Sequence, residues 1–351
     1  MRIIALLLPL LFATICYGSL VGRIRSGLRS LNPFARRTEP KIIEPIPDQG
    51  YNRPPRPKPV IGGMVVFGDS HSDSGNTLML SKNRSPPSHY FAGRYSNGPN
   101  WVDNVGKNMR IVIKNFAYGG GSSDSKFNPG KAGFGSTVEV PGIAQQIGQF
   151  LQSKPGDMQN TLFLLCGGGT DYYFNTTVEA LDVKNAMRNN AEALLKKGAV
   201  SVGLCTIPPM STVPLLRRSI IKRFIAKLAE PVYNNAIKQL VYELQTRYPD
   251  RYILTWDLES VIRNILKNSA ALGFKNISEA CADETNNQPA CKNPDEYVYW
   301  DSVHPSAHTH RLIAQDFQQL LSNNFIYRPP YVNNQQLGNV PPNYPNYPPN
   351  M

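Results

Sequence analysis

Charged side chains are scarce in this chain of 351 residues, at 18% against 41% hydrophobic. That excludes a disordered polyelectrolyte and leaves enough apolar surface to bury a sizeable core. Acid is scarcer than base, 25 Asp and Glu against 37 Lys and Arg, for a formal net charge of +12. Much of that excess lies at one end, because residues 1–60 hold 10 basic and 3 acidic side chains. Beyond residue 60 no stretch interleaves clustered Lys and Arg with aromatics, so no nucleic-acid partner is expected. Cysteine is limited to five residues, none in a Cys-x-x-Cys or Cys/His spacing suited to zinc. Neither Gly-x-Gly-x-x-Gly nor the Walker pattern occurs, so a nucleotide-phosphate cradle lacks support.

The two ends read differently from the middle. Met1 and Arg2 precede an apolar run, Ile3 to Ile15, that closes near small residues at Gly18, the pattern of a secretory signal peptide over residues 1–18. The run is short for a membrane-spanning helix. Cys16 offers a lipid anchor instead, which the bulky Ile15 before it disfavours. Residues 19–60 are rich in Arg and Pro and read as an extended basic leader or linker. The expected compartment is extracellular or periplasmic. Residues 327–351 form a tail rich in Pro, Asn and Tyr, a composition that builds no packed core.

Between residues 61 and 326 short apolar runs alternate with longer helical patterns, the signature of βαβ units around a parallel sheet. The expected strands are Met64 to Phe67, Ile111 to Phe116, Thr161 to Cys166, Val200 to Ile207 and Tyr252 to Trp256. Val178 to Lys197 repeats apolar residues at helical spacing and stops at Gly198. Leu312, Ile313, Phe317, Leu320 and Leu321 give the last helix one apolar face, with Pro305 expected in its first turn. The expected fold is a three-layer α/β/α domain, flavodoxin-like, with a mostly parallel five-stranded sheet.

In such sheets the loops that leave the strand ends share one edge, where catalytic groups gather. Here those loops carry Gly68-Asp69-Ser70, Gly119-Gly120-Gly121 and Gly167-Gly168-Gly169-Thr170-Asp171, and the last helix follows Trp300-Asp301-Ser302-Val303-His304-Pro305. A serine hydroxyl needs an oriented imidazole with a carboxylate behind it before it is a useful nucleophile. Asp301 and His304 supply that pair for Ser70. Gly120 and the Ser70 amide are natural donors to an oxyanion, because glycine lets backbone N–H approach closely. His89, His308 and His310 lack such neighbours and read as solvated or core histidines.

These residues also carry a resemblance. Phe67-Gly68-Asp69-Ser70-His71-Ser72-Asp73-Ser74-Gly75-Asn76 resembles the first block of the GDSL, or SGNH, serine esterases and lipases. Gly93 to Trp101, Asn115 to Gly120 and Trp300 to Pro305 resemble that family's later blocks in the expected order. The resemblance implies Ser70 as nucleophile, His304 as general base and acid, Asp301 as its orienter, and an oxyanion hole from Ser70, Gly120 and a third donor. That donor is an asparagine in the family's Gly-x-Asn-Asp block, and here Thr170 holds the position. No metal or organic cofactor is implied. The subgroup it most resembles is the bacterial lecithin–cholesterol acyltransferase-like lipases, also called glycerophospholipid–cholesterol acyltransferases. That implies phospholipid or lysophospholipid acyl donors at a lipid or membrane surface, with water or a sterol as acceptor. Two alternatives stand beside it: a short-chain acetyl or aryl esterase, and a catalytically poor lipid-binding relative.

Two further features carry open alternatives. Leu215 to Tyr242 is basic and largely helical, and suits either an anionic membrane or packing on the sheet with a charged outer face. Cys281 and Cys291 lie in a polar stretch where a short disulfide loop can close, serving as a lid or as a surface staple. Cys166 and Cys205 end apolar runs and are expected to be inert core thiols. The sequence leaves the oligomeric state open.

Overall fold

In the computed structural model the described residues are 57–329, apart from 134, 175–177 and 284–289. The signal peptide, most of the leader, nearly all of the tail and the interior of the 281–291 loop therefore lie outside them.

Five parallel strands form the central sheet: β1 (Gly63–Gly68), β2 (Val112–Asn115), β3 (Thr161–Cys166), β4 (Ser201–Cys205) and β5 (Tyr252–Trp256). Their order is β2-β1-β3-β4-β5, all five expected strands in one sheet. Four of them read as continuous apolar runs because both faces are covered, as parallel sheets require. Alternation along β1 divides the core in two. Met64 and Val66 pack with Trp101, Ile265, Ile313 and Phe317 under helices α1 (Trp101–Met109), α6 (Leu258–Lys267) and α7 (Ala307–Asn324). Val65 and Phe67 face α2 (Ile143–Gln152), α4 (Ala180–Lys196) and the second half of α5 (Ile220–Arg247) through Ile147, Phe150, Met187, Leu194 and Ile237. A short α3 (Gly169–Phe174) follows β3 directly. The three-layer α/β/α architecture is as the sequence leads one to expect. Each buried core aromatic such as Phe317, 0% exposed, is worth about 3–5 kcal/mol against alanine.

Two local readings need correction. Pro305 does not enter the first turn of α7. Ser306 is the N-cap, its side chain accepting from the Thr309 N–H, and Pro305 sits one residue upstream in a bridge to Tyr299. Cys166 and Cys205 are not free thiols but a disulfide, with Cα atoms 4.8 Å apart. The reason is strand order: β3 and β4 are neighbours in register, Leu165 beside Leu204, so their next residues stand side by side. Cys281 and Cys291 pair as well, across a Cα separation of 4.9 Å. Two disulfides fit an oxidising compartment.

Candidate active site

The C-terminal ends of β1 and β3 set the site. At the last residue of β1, Gln146 from α2 clamps the backbone of Gly68: its Oε1 accepts from the Gly68 N–H at 2.9 Å and its Nε2 donates to the Gly68 carbonyl at 2.8 Å. Asp69 and Ser70 follow. Asp73 then fastens this loop to its neighbour. One carboxylate oxygen accepts from the Gly75 and Asn76 N–H groups, the other from Thr77 and Gly119. Burial pushes the Asp73 carboxyl above its ordinary value, against the pull of those hydrogen bonds. The Gly93–Trp101 block serves the same scaffold: Arg94 pairs with Asp103 at 2.8 Å, and Asn100 both caps α1 and donates to the Asp73 carbonyl.

Asp301 and His304 lie on a tight turn ahead of α7. Asp301 Oδ1 accepts from the Val303 and His304 N–H groups at 2.7 and 2.6 Å, and the Trp300 N–H donates to the His304 carbonyl, closing the loop. His304 Nδ1 then lies 2.6 Å from Asp301 Oδ2, and His304 Nε2 lies 2.8 Å from Ser70 Oγ. Ser70 and His304 are 234 residues apart in sequence. Burial works to raise the Asp301 carboxyl, but the His304 ring and the N–H donors outweigh it and hold it below the ordinary carboxylate range. Asp301 is therefore favoured as the carboxylate beside the His304 ring.

Gly120 has φ 85°, and a Cβ there would run into the Lys131 carbonyl, so no other residue fits this close approach. Among the described residues neither the Ser70 nor the Gly120 amide N–H has a hydrogen-bond acceptor. Thr170 stands at the start of α3, and its hydroxyl donates to Asp69 Oδ2 at 3.3 Å, a long bond for two oxygens. The neighbouring Asp171 takes a scaffold part, accepting from the Ser123 N–H and hydroxyl and from Asn128.

Sequence reasoning passed over Tyr90. Its hydroxyl donates to Asp301 Oδ2 at 2.7 Å, and its ring packs edge-on against Trp300. Gln146 was passed over as well. Neither lies in a recognisable pattern. His310 is a buried core histidine, and His308 accepts no catalytic part, stacking on Phe274 instead.

Ser70 and His304 open on a cavity of about 540 Å³. One group of lining residues is apolar: Ile207, Met210, Val213, Leu258, Ile262 and Val298, with the Cys166–Cys205 bridge. Another is polar: Ser81, Arg84, Ser85, Ser136 and Thr137. A hydroxyl, an imidazole and a buried carboxylate in line, beside two open backbone donors, are the parts of acyl transfer through serine.

A family model of GDSL-like lipases and acylhydrolases matches residues 64–317. The chain belongs to that family. It is accordingly a carboxylic ester hydrolase. Among relatives, it is 27% identical over 293 residues to the thermolabile hemolysin of Vibrio parahaemolyticus, covering 76% of this chain and 66% of that protein. The chain thus spans just under two thirds of the hemolysin's length. It is 24% identical over 317 residues to the phosphatidylcholine-sterol acyltransferase of Aeromonas hydrophila, covering 74% of this chain and 89% of that one. A solved member of the lipolytic G-D-S-L family from Veillonella parvula superposes with a TM-score of 0.45 at 13% identity, covering 74% of this chain and 98% of its own.

Proposed function

We propose that the protein is a secreted acyl hydrolase of phospholipids or lysophospholipids, working through an acyl-enzyme on Ser70. The observation that carries this reading is the cavity on which the Ser70–His304 pair opens, whose lining includes the apolar Ile207, Met210, Val213 and Ile262. An apolar lining suits a long acyl chain. Arg84, the one Lys or Arg among the described lining residues, suits an anionic headgroup. Secretion is supported by the signal-peptide pattern and the two disulfides.

In this mechanism Ser70 Oγ attacks the acyl carbonyl carbon while its proton passes to His304 Nε2. Asp301 Oδ2 holds the Nδ1 proton and stabilises the imidazolium. The Ser70 and Gly120 N–H groups bind the oxyanion, and Thr170 swings from Asp69 to add its hydroxyl. The tetrahedral intermediate collapses as Nε2 returns the proton to the departing alcohol, leaving the acyl group esterified to Ser70. Water, giving its proton to Nε2, attacks that ester; the acyl–Oγ bond breaks as Nε2 returns the proton to Ser70 Oγ, and the fatty acid leaves. A sterol hydroxyl in place of water gives a steryl ester, the alternative suggested by similarity to the Aeromonas acyltransferase.

The test incubates the purified protein and its Ser70→Ala variant with phospholipid, lysophospholipid and cholesterol, and quantifies fatty acid and cholesteryl ester. Release by the parent alone supports the reading, and the ratio of products identifies the acceptor. Cleavage of acetyl esters with no lipid product would instead make it a short-chain esterase, and no turnover of either would refute the reading.

A further inference from the structure

Helix α5 carries an apolar face on the side that should be polar. Its second half behaves as a surface helix does, burying Tyr233, Ile237, Leu240, Val241 and Leu244 toward the sheet. From Ile220 to Val232 it buries only Ala226 and Glu230. Glu230 fixes that orientation, accepting from the Ser211 N–H and hydroxyl and from Arg263 Nη2 at 3.0 Å. Meanwhile Ile220 is 88% exposed, Phe224 60% and Val232 59%, with Ile221, Ile225 and Leu228 exposed between them. At about 100° per residue these six fall within an arc of about 140°, and Ala226 and Glu230 point roughly the opposite way. The apolar stripe therefore faces away from the body of the protein.

Charge names the occupant. From Val213 to Ala229 there is no acidic residue, while Arg217, Arg218, Lys222, Arg223 and Lys227 are basic. Lys222 and Lys227 are both exposed and flank the apolar arc on either side, where their stems can lie along an apolar layer and their ammonium groups reach an anionic surface. A second copy would bring like charges together, and the chain's own leader is itself strongly basic. The stripe is also close in sequence to the site, since Met210, Thr212 and Val213 line the cavity. We infer that the first half of α5 docks the enzyme on anionic lipid surfaces, apolar side chains inserted among the acyl chains and lysines at the headgroups. The inference rests on the lipid-ester reading for its purpose, and on the helix for its evidence.

Binding is measured by cosedimentation of the Ser70→Ala protein with vesicles of phosphatidylcholine containing phosphatidylglycerol, so that turnover plays no part. Two further proteins carry Ile221→Ser with Phe224→Ser, or Lys222→Gln with Lys227→Gln, in the same background. The apolar pair should lose roughly tenfold or more in partitioning, and the lysine pair should lose its preference for anionic over pure phosphatidylcholine vesicles. The same substitutions in the Ser70 parent should leave hydrolysis of a soluble short-chain ester unchanged, showing that the fold and site survive. Unaltered partitioning of the apolar pair, no binding by the Ser70→Ala protein, or a dimer that the apolar pair converts to monomer would overturn the inference. Vesicle binding that depends on α5, with no fatty acid released by the parent, would instead leave docking standing and refute the lipid-ester reading.

Discussion

Tyr90 and His304 meet at one atom: the Tyr90 hydroxyl donates to Asp301 Oδ2 at 2.7 Å, and His304 Nδ1 lies 2.6 Å from that same oxygen. The tyrosine thus holds the carboxylate that holds the imidazole. Acting through Asp301, it is expected to be a positioning residue.

Replacing Tyr90 with phenylalanine keeps the ring against Trp300 and removes only the hydroxyl. Asp301 Oδ2 then has the imidazole as its remaining side-chain partner, so the acid limb of the kcat/KM profile should move to higher pH. The looser carboxylate should cost several-fold in kcat, with KM nearly unchanged. A stopped-rate pH series checks this. A profile that keeps its shape while only protein stability falls would reduce Tyr90 to packing.

Thr170 is expected to act as a weak third donor. Thr170→Val removes the hydroxyl at nearly constant volume, and kcat should fall on the order of tenfold, short of the ~100- to 1000-fold typical of a well-aimed donor. The shortfall reflects the bond to Asp69 that the hydroxyl must first leave. Steady-state kinetics on one ester suffice. An unchanged kcat would take Thr170 out of the oxyanion hole.

The fold was largely legible because its signals are local. Thr161 to Cys166 is apolar throughout, and a run of that length in an alternating βα chain has one natural place, the middle of a parallel sheet. Asp301 and His304 were legible for the same reason, being three residues apart on one turn. What depends on strand order was not. Cys166 and Cys205 bond because β3 lies beside β4, and an apolar run does not name its neighbour. Tyr90, 211 residues from Asp301, announces itself by no spacing at all. In α5 the apolar and basic positions could be read, but which face meets the sheet is decided by Glu230 finding Ser211 and Arg263.

His310 gives a test by pH. Burial, reinforced by His71 and His304, holds its imidazole well below the ordinary value of 6.5. A base with a depressed folded pKa contributes stability above its unfolded pKa and loses it as pH falls, because the unfolded chain takes the proton that the native state refuses. Denaturant unfolding between pH 7 and 5 should show stability falling toward acid, with up to about 1.4 kcal/mol per pH unit from this residue. His310→Leu should flatten that slope by the same amount, whatever it does to stability at pH 7. Equal slopes in both proteins would mean that His310 titrates normally in the fold.

Acyl transfer by this route requires Ser70 Oγ to be the atom that carries the acyl group. A fluorophosphonate reports this directly, because it forms a stable bond with a serine activated by an imidazole. Intact mass and peptide mapping of the treated protein should show one adduct, on Ser70, absent from Ser70→Ala and formed far more slowly by His304→Ala. An adduct on another residue, or ester hydrolysis that persists in Ser70→Ala, would contradict it.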